Sequence, residues 1–251
     1  MTTIVKLGGS VITEKDRADT LDGAALDQLA DAIAAADVDE LVVVHGGGSF
    51  GHHHASEHGV SKTDGSSDAA AAVDVHGAMK TLNEFVLARL HERSVPAVPV
   101  HPFSAASRDA DATLALPTTQ VETMLGEGFV PVLHGDVVAH AGEGVTVVSG
   151  DELVVSLAQG LGADRVGFCS TVPGVLGTDD RVVERIDDYD EVADVLGESD
   201  ATDVTGGMAG KVRALLGLAT PASVFGPDAL GAFLAGESPG TLIESGADAD
   251  D

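Results

Sequence analysis

The sequence predicts an α/β fold with a mostly parallel central sheet that helices cover on both faces. Short apolar segments alternate along the chain with longer segments of helical periodicity. This order is typical of parallel strands joined by crossover helices. Each short segment is rich in Val, Ile or Leu, as strands buried on both faces usually are.

In chain order, the strands are predicted near 2–7, 40–45, 96–100, 129–134, 165–170, 222–225 and 240–244. The helices are predicted near 22–36, 68–93, 118–126, 151–162, 188–196, 207–218 and 227–235. Segment 137–148 predicts a hairpin that turns at Gly142 to Gly144, and segment 103–116 predicts a loop able to cover a site. A length of 251 residues fits one large α/β domain or two small ones. The acidic tail at 246–251 is predicted to be disordered.

The charge balance excludes several classes of partner. The chain has 41 acidic and 13 basic side chains and a formal net charge of −28, so its surface repels nucleic acid and anionic membranes. No apolar run approaches the length of a bilayer span, and the first strand has no signal-like segment before it. We therefore expect a cytoplasmic protein. Because the acids are spread along the chain, the composition indicates adaptation to high intracellular salt.

Cysteine and lysine are both scarce. The single cysteine, Cys169, has apolar neighbours and is predicted to be a small core residue. The chain has only five lysines, and three of them, Lys6, Lys15 and Lys211, lie within or beside glycine-rich segments. A chain that has lost lysine almost everywhere else retains it there, which indicates a local anion site.

Two glycine-rich turns follow the first two strands. The first, Lys6–Ser10, places two glycines after a strand, so that free backbone N–H groups can surround phosphate oxygens. The second, His45–His52, contains three successive glycines, whose ordering is costly unless a ligand approaches the backbone. It also matches the dinucleotide pattern G-x-G-x-x-G. However, the polar loop at 61–67 follows instead of an amphipathic helix, which argues against a Rossmann fold.

A third glycine-rich turn, Thr205–Lys211, opens the predicted helix 207–218. Helix N-termini attract anions, and Lys211 lies in the first helical turn. The turn differs from a Walker A loop, because Thr205 stands where glycine is needed and Val212 replaces the residue that binds magnesium. A P-loop fold is therefore not expected.

Two aspartates follow glycines near the ends of predicted strands. Asp136 comes after the strand 129–134, and Asp151 begins the helix 151–162. Each allows two interpretations. An acid at this place commonly caps a helix or interacts with its dipole, and it can also organise lysines or magnesium beside a phosphate.

A group of four histidines begins at the end of the second turn: His52, His53, His54 and His58. His54 and His58 lie four positions apart, as zinc ligands on one helix face do. Gly59 and the serine-rich segment after it form helix poorly, and no second group of ligands is evident. We therefore expect no metal site, with His53, His54 and His58 solvated. His52 differs because it directly follows the glycine turn and can donate a hydrogen bond to the bound ligand.

The three turns in this order resemble the amino acid kinase family. The matching residues are Lys6-Leu7-Gly8-Gly9-Ser10, Lys15, His45-Gly46-Gly47-Gly48-Ser49-Phe50-Gly51-His52, Gly135-Asp136, Ser149-Gly150-Asp151 and Gly206-Gly207-Met208 with Lys211. The first and third turns are shared across that family, whereas His52 after the second turn resembles its isopentenyl phosphate and fosfomycin kinase branch. One departure is Thr171–Val175, where many members carry an Asp before the glycine.

The resemblance implies a three-layer αβα sandwich in a single domain, 1–245, and usually a homodimer. It also implies that the acceptor binds toward the N-terminal part, about 1–160, and ATP with Mg²⁺ toward the C-terminal part, about 161–245. The ATP site would comprise Lys6, Gly8, Gly9, Ser10, Gly48, Gly207 and Lys211. The acceptor site would comprise Gly47, Gly48, His52, Gly150 and Asp151. Lys15 would stabilise the transition state, and Lys6, His52 and Lys211 would share in catalysis.

By the same resemblance, the expected reaction is phosphorylation of isopentenyl phosphate by ATP in the archaeal mevalonate route of isoprenoid biosynthesis. The motifs supply cations and N–H donors but no evident general base, which suits an acceptor that is already an anionic phosphate. Two alternatives remain: another small-molecule kinase of the fold, specific for fosfomycin, uridylate or acetylglutamate, and a nucleotide-binding sensor without turnover. A carboxylate acceptor would need a fixed cation, and outside the three lysines the acceptor half offers few candidates, namely Arg17, Lys62, Lys80, Arg89 and Arg93.

Overall fold

The computed structural model describes residues 1–196 and 207–245. The strands of the described residues are β1 (Thr2–Leu7), β2 (Glu40–His45), β3 (Ala97–Pro99), β4 (Ser107–Arg108), β5 (Leu114–Ala115), β6 (Val130–His134), β7 (Asp136–His140), β8 (Gly144–Val148), β9 (Arg165–Cys169), β10 (Arg185–Ile186), β11 (Ala222–Phe225) and β12 (Thr241–Ile243). The helices are α1 (Gly9–Ile12), α2 (Gly23–Ala34), α3 (Gly48–Glu57), α4 (Ala69–Glu92), α5 (Pro102–Ala105), α6 (Thr119–Gly126), α7 (Gly150–Leu161), α8 (Ala193–Leu196), α9 (Gly207–Leu216) and α10 (Leu230–Leu234).

Eight strands form the main sheet, in the order β10-β12-β11-β9-β1-β2-β6-β3. All neighbours are parallel except β11 and β12. The first strand lies near the middle, so Lys6 is paired with Val44 on one side and with Phe168 on the other. The carboxyl ends of β1, β2, β6 and β9 therefore meet at one edge, where ligands of open α/β sheets usually bind.

Helices cover both faces of this sheet. Ile4 packs into a core with Leu157 of α7 and Val212 of α9. Its neighbour Val5 faces the other way and packs with residues of α2 and α4, among them Leu29. Successive side chains of a strand point to opposite faces, so each central strand contributes to two cores. The predicted sandwich with a mostly parallel sheet is confirmed.

A second sheet, in the order β5-β4-β7-β8, includes the predicted hairpin. Its pairing runs from Asp136 opposite Val148 to His140 opposite Gly144, which confirms the hairpin. The prediction of a simple loop at 103–116 is wrong, because this segment contains most of α5 together with β4 and β5. Two-residue strands carry too little pattern to be recognised, and β4 forms here because β7 offers a free edge.

The sequence prediction also missed helix α3, which begins inside the second glycine turn and ends at Glu57. The side chains of Phe50 and Ala55 are buried, and the backbone N–H of Ser49 donates to Thr13 Oγ1 at 3.0 Å. Helices in proteins owe most of their stability to such tertiary packing, which a propensity argument does not include. The prediction that no helix follows the turn is therefore wrong.

Other predictions are confirmed or lie outside the described part. Cys169 is buried, and burial, aided by the charge of Asp228, raises the pKa of its thiol to about 12, so it is an inert core residue. Thr205, Gly206 and the acidic tail 246–251 lie outside the described residues. Across residues 1–196 and 207–245, no helix combines the length and apolar character needed to cross a membrane.

Candidate active site

The first and second glycine turns pack backbone against backbone at the ends of β1 and β2. A side chain on Gly46 would place its Cβ 2.7 Å from the nitrogen of Gly9, and one on Gly9 would collide with the backbone of Gly48. Gly48 also has a positive φ of 51°, which disfavours any residue with a side chain. The two turns therefore form one continuous backbone surface.

Three further backbone segments meet this surface. An added Cβ on Gly135 would lie 3.7 Å from the nitrogen of Gly47 and 3.6 Å from that of Gly150. The N–H of Gly8 donates to the carbonyl of Cys169 at 2.9 Å. Gly47 and Gly150, both predicted to bind the acceptor, thus both lie beside Gly135 although they are far apart in the sequence.

Two of the predicted lysines come together beside these turns. The ammonium groups of Lys6 and Lys211 lie 5.8 Å and 5.5 Å from the centroid of the Phe168 ring. Lys211 lies near the N-terminus of α9, four residues after its first residue, Gly207, which has a positive φ of 53°. Distant parts of the chain therefore contribute two positive charges to one place.

Asp151 connects these charges to helix α7, because it forms an ion pair with Lys6. Burial alone would raise the pKa of the Asp151 carboxyl, but the ammonium groups of Lys6 and Lys211 outweigh it and lower that pKa. Asp151 does not cap the helix, since Ser149 is the N-cap and forms a capping box with Glu152. Asp151 therefore pairs with a lysine, as one interpretation expected, and as an acid in the first turn of α7 it also interacts with the helix dipole.

The structure adds a lysine that the motifs did not single out. Lys62 lies 3.3 Å from Glu152, and its charge also contributes to the lowered pKa of Asp151. Arg108, which is buried, donates to the same Glu152 at 2.7 Å. From the sequence, Lys62 is only one of several candidate cations for a carboxylate acceptor. Its polar loop does not indicate a position beside Glu152.

Lys15 and His52 occupy neighbouring elements. Lys15 is exposed in a loop that a bridge between Thr13 and Leu21 closes. Ser49, at the start of α3, holds this loop by accepting from the N–H of Thr20 at 3.3 Å and donating to its carbonyl at 3.2 Å. His52 lies on α3 one turn after Gly48, with an exposed side chain, and Ser10 is exposed on α1.

Four histidines form a polar network beneath the ends of β2 and β6. The rings of His45 and His134 are stacked with centroids 5.6 Å apart. His101 Nδ1 lies 2.8 Å from His134 Nε2, and His76 Nδ1 lies 2.8 Å from the carboxylate of Asp136. Asp136 is buried at the start of β7, so its interpretation as a helix cap is wrong, and the charged partner that it has is His76 rather than a lysine.

The two stacked histidines hold the backbone of the glycine turns. His45 Nδ1 lies 3.1 Å from the carbonyl of Gly46, and His134 Nδ1 lies 2.9 Å from that of Gly135. A carbonyl only accepts, so each Nδ1 is the donor and each Nε2 is the acceptor. His45 Nε2 then requires a donor, which the amide nitrogen of Asn83 supplies if that amide is rotated by half a turn. The rotation also gives a partner to an Asn83 nitrogen that is otherwise buried without one.

This network predicts that the protein loses stability in mild acid. Burial lowers the pKa of His45 from 6.5 to about 4, despite its bond to the carbonyl of Gly46. The unfolded chain therefore binds a proton that the folded chain does not, so the contribution of His45 is complete above pH 6.5 and declines as the pH falls toward 4. We expect His45 alone to lower the free energy of unfolding, measured by denaturant titration in molar KCl, by about 2 kcal/mol between pH 7 and pH 5. Burial lowers the pKa of His134 as well, so in His45→Asn the decline should become smaller by about this amount rather than vanish, and an unchanged decline would contradict the assignment.

The prediction that His53, His54 and His58 are simply solvated is wrong, because each has a carboxylate partner. His54 Nδ1 lies 2.7 Å from Asp74, and His58 Nε2 lies 2.9 Å from the same carboxylate. His53 lies 3.6 Å from Glu57. Asp74 lies on α4, a different helix from the one that carries His54, so the sequence did not indicate these contacts.

Comparisons with known proteins agree with this geometry. Residues 1–222 match the family model described as "Amino acid kinase family". The chain is 63% identical to an isopentenyl phosphate kinase of Haloferax volcanii, over 96% of this chain and 97% of that protein. It is 32% identical to an isopentenyl phosphate kinase of Methanocaldococcus jannaschii, over 84% of this chain and 85% of that protein. An X-ray structure of an isopentenyl phosphate kinase matches 97% of this chain and 100% of its own, with a TM-score of 0.82 and 28% identity.

Proposed function

The chain belongs to the amino acid kinase family, and from that membership we propose that it transfers the γ-phosphoryl group of ATP to isopentenyl phosphate. One observation carries the proposal: Lys6 and Lys211 converge at Phe168, beside the fused glycine turns. The similarity to two isopentenyl phosphate kinases supports the choice of acceptor.

In this reaction an oxygen of the acceptor phosphate attacks the γ-phosphorus of ATP. The bond between that phosphorus and the β,γ-bridging oxygen breaks, and ADP leaves. The acceptor oxygen is already anionic near neutral pH, because the second pKa of a phosphate monoester is about 6. No general base is needed. The protein must instead hold two polyanions in line and offset their repulsion.

We assign the ATP phosphates to the surface formed by Gly8, Gly9 and Gly48, with Ser10 and Gly207 at its border. A Cβ at Gly9 or Gly48 would collide with the opposing turn, so the surface keeps its shape only with glycine at these positions. Lys6 and Lys211 supply the positive charge. This arrangement is suited to stabilising charge that develops on the transferred group.

We assign the acceptor phosphate to Gly47, Gly150 and His52, with Lys15 stabilising the transition state. Asp151 serves here as a positioning residue for Lys6, because a carboxylate beside a phosphate monoester would add repulsion. This assignment refines the expectation that Asp151 contacts the acceptor directly.

Magnesium fits this site as a companion of ATP. The two carboxylates at the start of α7 are already bound by cations, Asp151 by Lys6 and Glu152 by Arg108. This suits a Mg²⁺ ion that is held by the phosphates and keeps water as its other ligands. Bound there, magnesium would screen the charge of the β- and γ-phosphates.

The family resemblance further supports a single domain, with the acceptor in the N-terminal part and ATP toward the C-terminal part, and a homodimer. The acidic composition supports a halophilic protein of the cytoplasm. These features are part of the proposal. Because the composition indicates adaptation to high salt, the activity assays use molar KCl.

The proposal is tested by a phosphorylation screen with ATP and Mg²⁺. The acceptors are isopentenyl phosphate, dimethylallyl phosphate, fosfomycin, UMP and acetylglutamate. We expect the highest kcat/KM with isopentenyl phosphate. A preference for UMP, fosfomycin or acetylglutamate would assign another kinase activity, and ATP binding without turnover would indicate a sensor.

Replacing His52 by alanine should reduce kcat/KM for isopentenyl phosphate about a hundredfold, because one donor to the acceptor phosphate is lost. The melting temperature should change little, since the side chain is exposed. His53→Ala is the matched control, because it removes the next exposed imidazole of the same helix. Equal kcat/KM values for the two variants would refute the role of His52.

Replacing Lys15 by methionine should lower kcat about a hundredfold and leave the KM for ATP nearly unchanged, as expected for an interaction made in the transition state. Steady-state kinetics with ATP as the varied substrate measure both parameters. Arg17→Met removes a cation from the same loop, where Arg17 pairs with Glu14, and should have little effect. An effect of Lys15→Met on KM alone would contradict the assignment.

A further inference from the structure

Away from the glycine turns, helices α3 and α4 hold a cluster of side chains with metal-ligand chemistry. Its members are His54 and His58 at the C-terminal end of α3, Glu57 between them, and Asp74 on α4. One ligand atom each of His54, Glu57 and Asp74 lies within 4.8 Å of the others. His58 Nε2 lies 2.9 Å from Asp74 Oδ2.

The two reasons for expecting no metal here were the absence of a helix and of a second group of ligands. In the structure, α3 is the helix that the sequence did not predict, and Asp74 of α4 supplies the second group. His54 and His58 are one helical turn apart, so their rings can reach the same point. Asp74 Oδ2, which lies 2.7 Å from His54 Nδ1, lies between the two imidazoles.

The second nitrogen of His54 provides an independent indication. His54 Nε2 lies 3.2 Å from a carboxylate oxygen of Asp19, in the loop that carries Lys15. A histidine that binds a metal usually donates its other N–H to a carboxylate, which fixes the ring orientation and makes the ligand more basic. In this cluster Asp19 occupies that outer position.

We propose that His54, His58, Asp74 and Glu57 bind one divalent cation of the zinc, cobalt or nickel class, with Asp19 as the outer partner of His54. Imidazole ligands favour these ions over magnesium and calcium, which prefer sites made of oxygen alone. Nδ1 of His54, Nε2 of His58 and one oxygen from each carboxylate are the ligand atoms. Glu57 already lies within reach of His54 and Asp74, and a rotation of the His58 side chain would complete a four-ligand site.

Such an ion would join three parts of the molecule. It would link α3 to α4 directly, and through Asp19 it would restrain the loop of residues 13–21. The inference does not depend on the proposed kinase activity, since it concerns metal binding and stability alone.

The experiment uses the full chain in molar KCl near neutral pH, after treatment with a chelator and without nucleotide. Zn²⁺ is titrated by calorimetry, and Co²⁺ is used in parallel because its visible absorption reports ligand geometry. We expect one ion per chain, a Co²⁺ spectrum typical of four or five ligands, and a melting temperature that rises with Zn²⁺ concentration.

Variants identify the ligands. Asp74→Asn keeps the side-chain shape and should weaken Zn²⁺ binding by about a hundredfold or more, whereas Asp19→Asn should weaken it about tenfold. Asp31→Asn is the matched control, because Asp31 is also an exposed acid in an ion pair, with Arg93 directly after α4. Its affinity should equal that of the unaltered chain.

Two results would overturn the proposal. One is the absence of Zn²⁺ and Co²⁺ binding by the unaltered chain. The other is equal affinity in Asp74→Asn and Asp31→Asn, which would place the ion elsewhere on the acidic surface. His54→Ala serves as a second test of the ligand set, with its fold checked by circular dichroism.

Discussion

Replacing Lys6 by methionine is expected to lower kcat by about a thousandfold, the largest effect among the side-chain variants. Methionine retains a chain of similar length and removes the charge, so the transferred phosphoryl group loses a preorganised cation. The partly buried carboxylate of Asp151 also loses its ion-pair partner. Steady-state kinetics measure the first effect and thermal unfolding the second.

The double variant Lys6→Met with Asp151→Asn separates these two effects. Asparagine removes the unpaired charge, so the melting temperature should recover while kcat remains low. If the double variant regained activity, Lys6 would act only to neutralise Asp151, and its catalytic assignment would be wrong. Lys62→Met is a comparison for Lys6→Met, because it removes a nearby cation that pairs with Glu152 instead of Asp151.

Replacing Gly48 by alanine is expected to reduce the free energy of unfolding by about 3 kcal/mol. The new Cβ would lie 2.7 Å from the carbonyl oxygen of Gly9 and 2.8 Å from Thr13 Cγ2, at a residue with positive φ. Because relief of this collision must separate the two glycine turns, kcat/KM should also fall by at least about a hundredfold. Denaturant titration and steady-state kinetics measure the two losses.

Gly162→Ala is the matched control for this substitution. Gly162 has a φ of 60°, close to that of Gly48, but an added Cβ would meet nothing within 4 Å. The backbone strain should therefore cost about 1 kcal/mol without an effect on kcat/KM. If Gly48→Ala behaved like Gly162→Ala, close packing of the turns would not be the reason for glycine at position 48.

The sequence predicted the long elements well because their apolar periodicity reflects burial. Helix α4 was predicted near 68–93 and spans Ala69–Glu92, and strand β2 was predicted at its observed bounds. Helix α3 was missed because its stability comes from contacts of Phe50 and Ala55 with distant parts of the chain. Strands β4 and β5 have two residues each, too few for any periodic pattern.

In the candidate site, the sequence indicated residues whose composition is unusual and missed those defined only by location. Successive glycines and scarce lysines marked Lys6, Gly48 and Lys211. Lys62 and Asp74 could not be found in this way, because an ordinary loop lysine and an ordinary helical aspartate acquire a role only through tertiary contacts. Asp136 was misinterpreted for the same reason, since its partner His76 comes from a separate helix.

The central position of β1 has a consequence for synthesis on the ribosome. Its neighbour β9 ends at Cys169, so the strand that bears Lys6 emerges long before one of its two flanking strands. The Phe168 ring belongs to β9 itself, and Lys211 is translated later still, after most strands of the sheet. A nascent chain therefore cannot assemble the paired ammonium groups until nearly all of the polypeptide has left the exit tunnel, and growing chains have no means of consuming nucleotide prematurely.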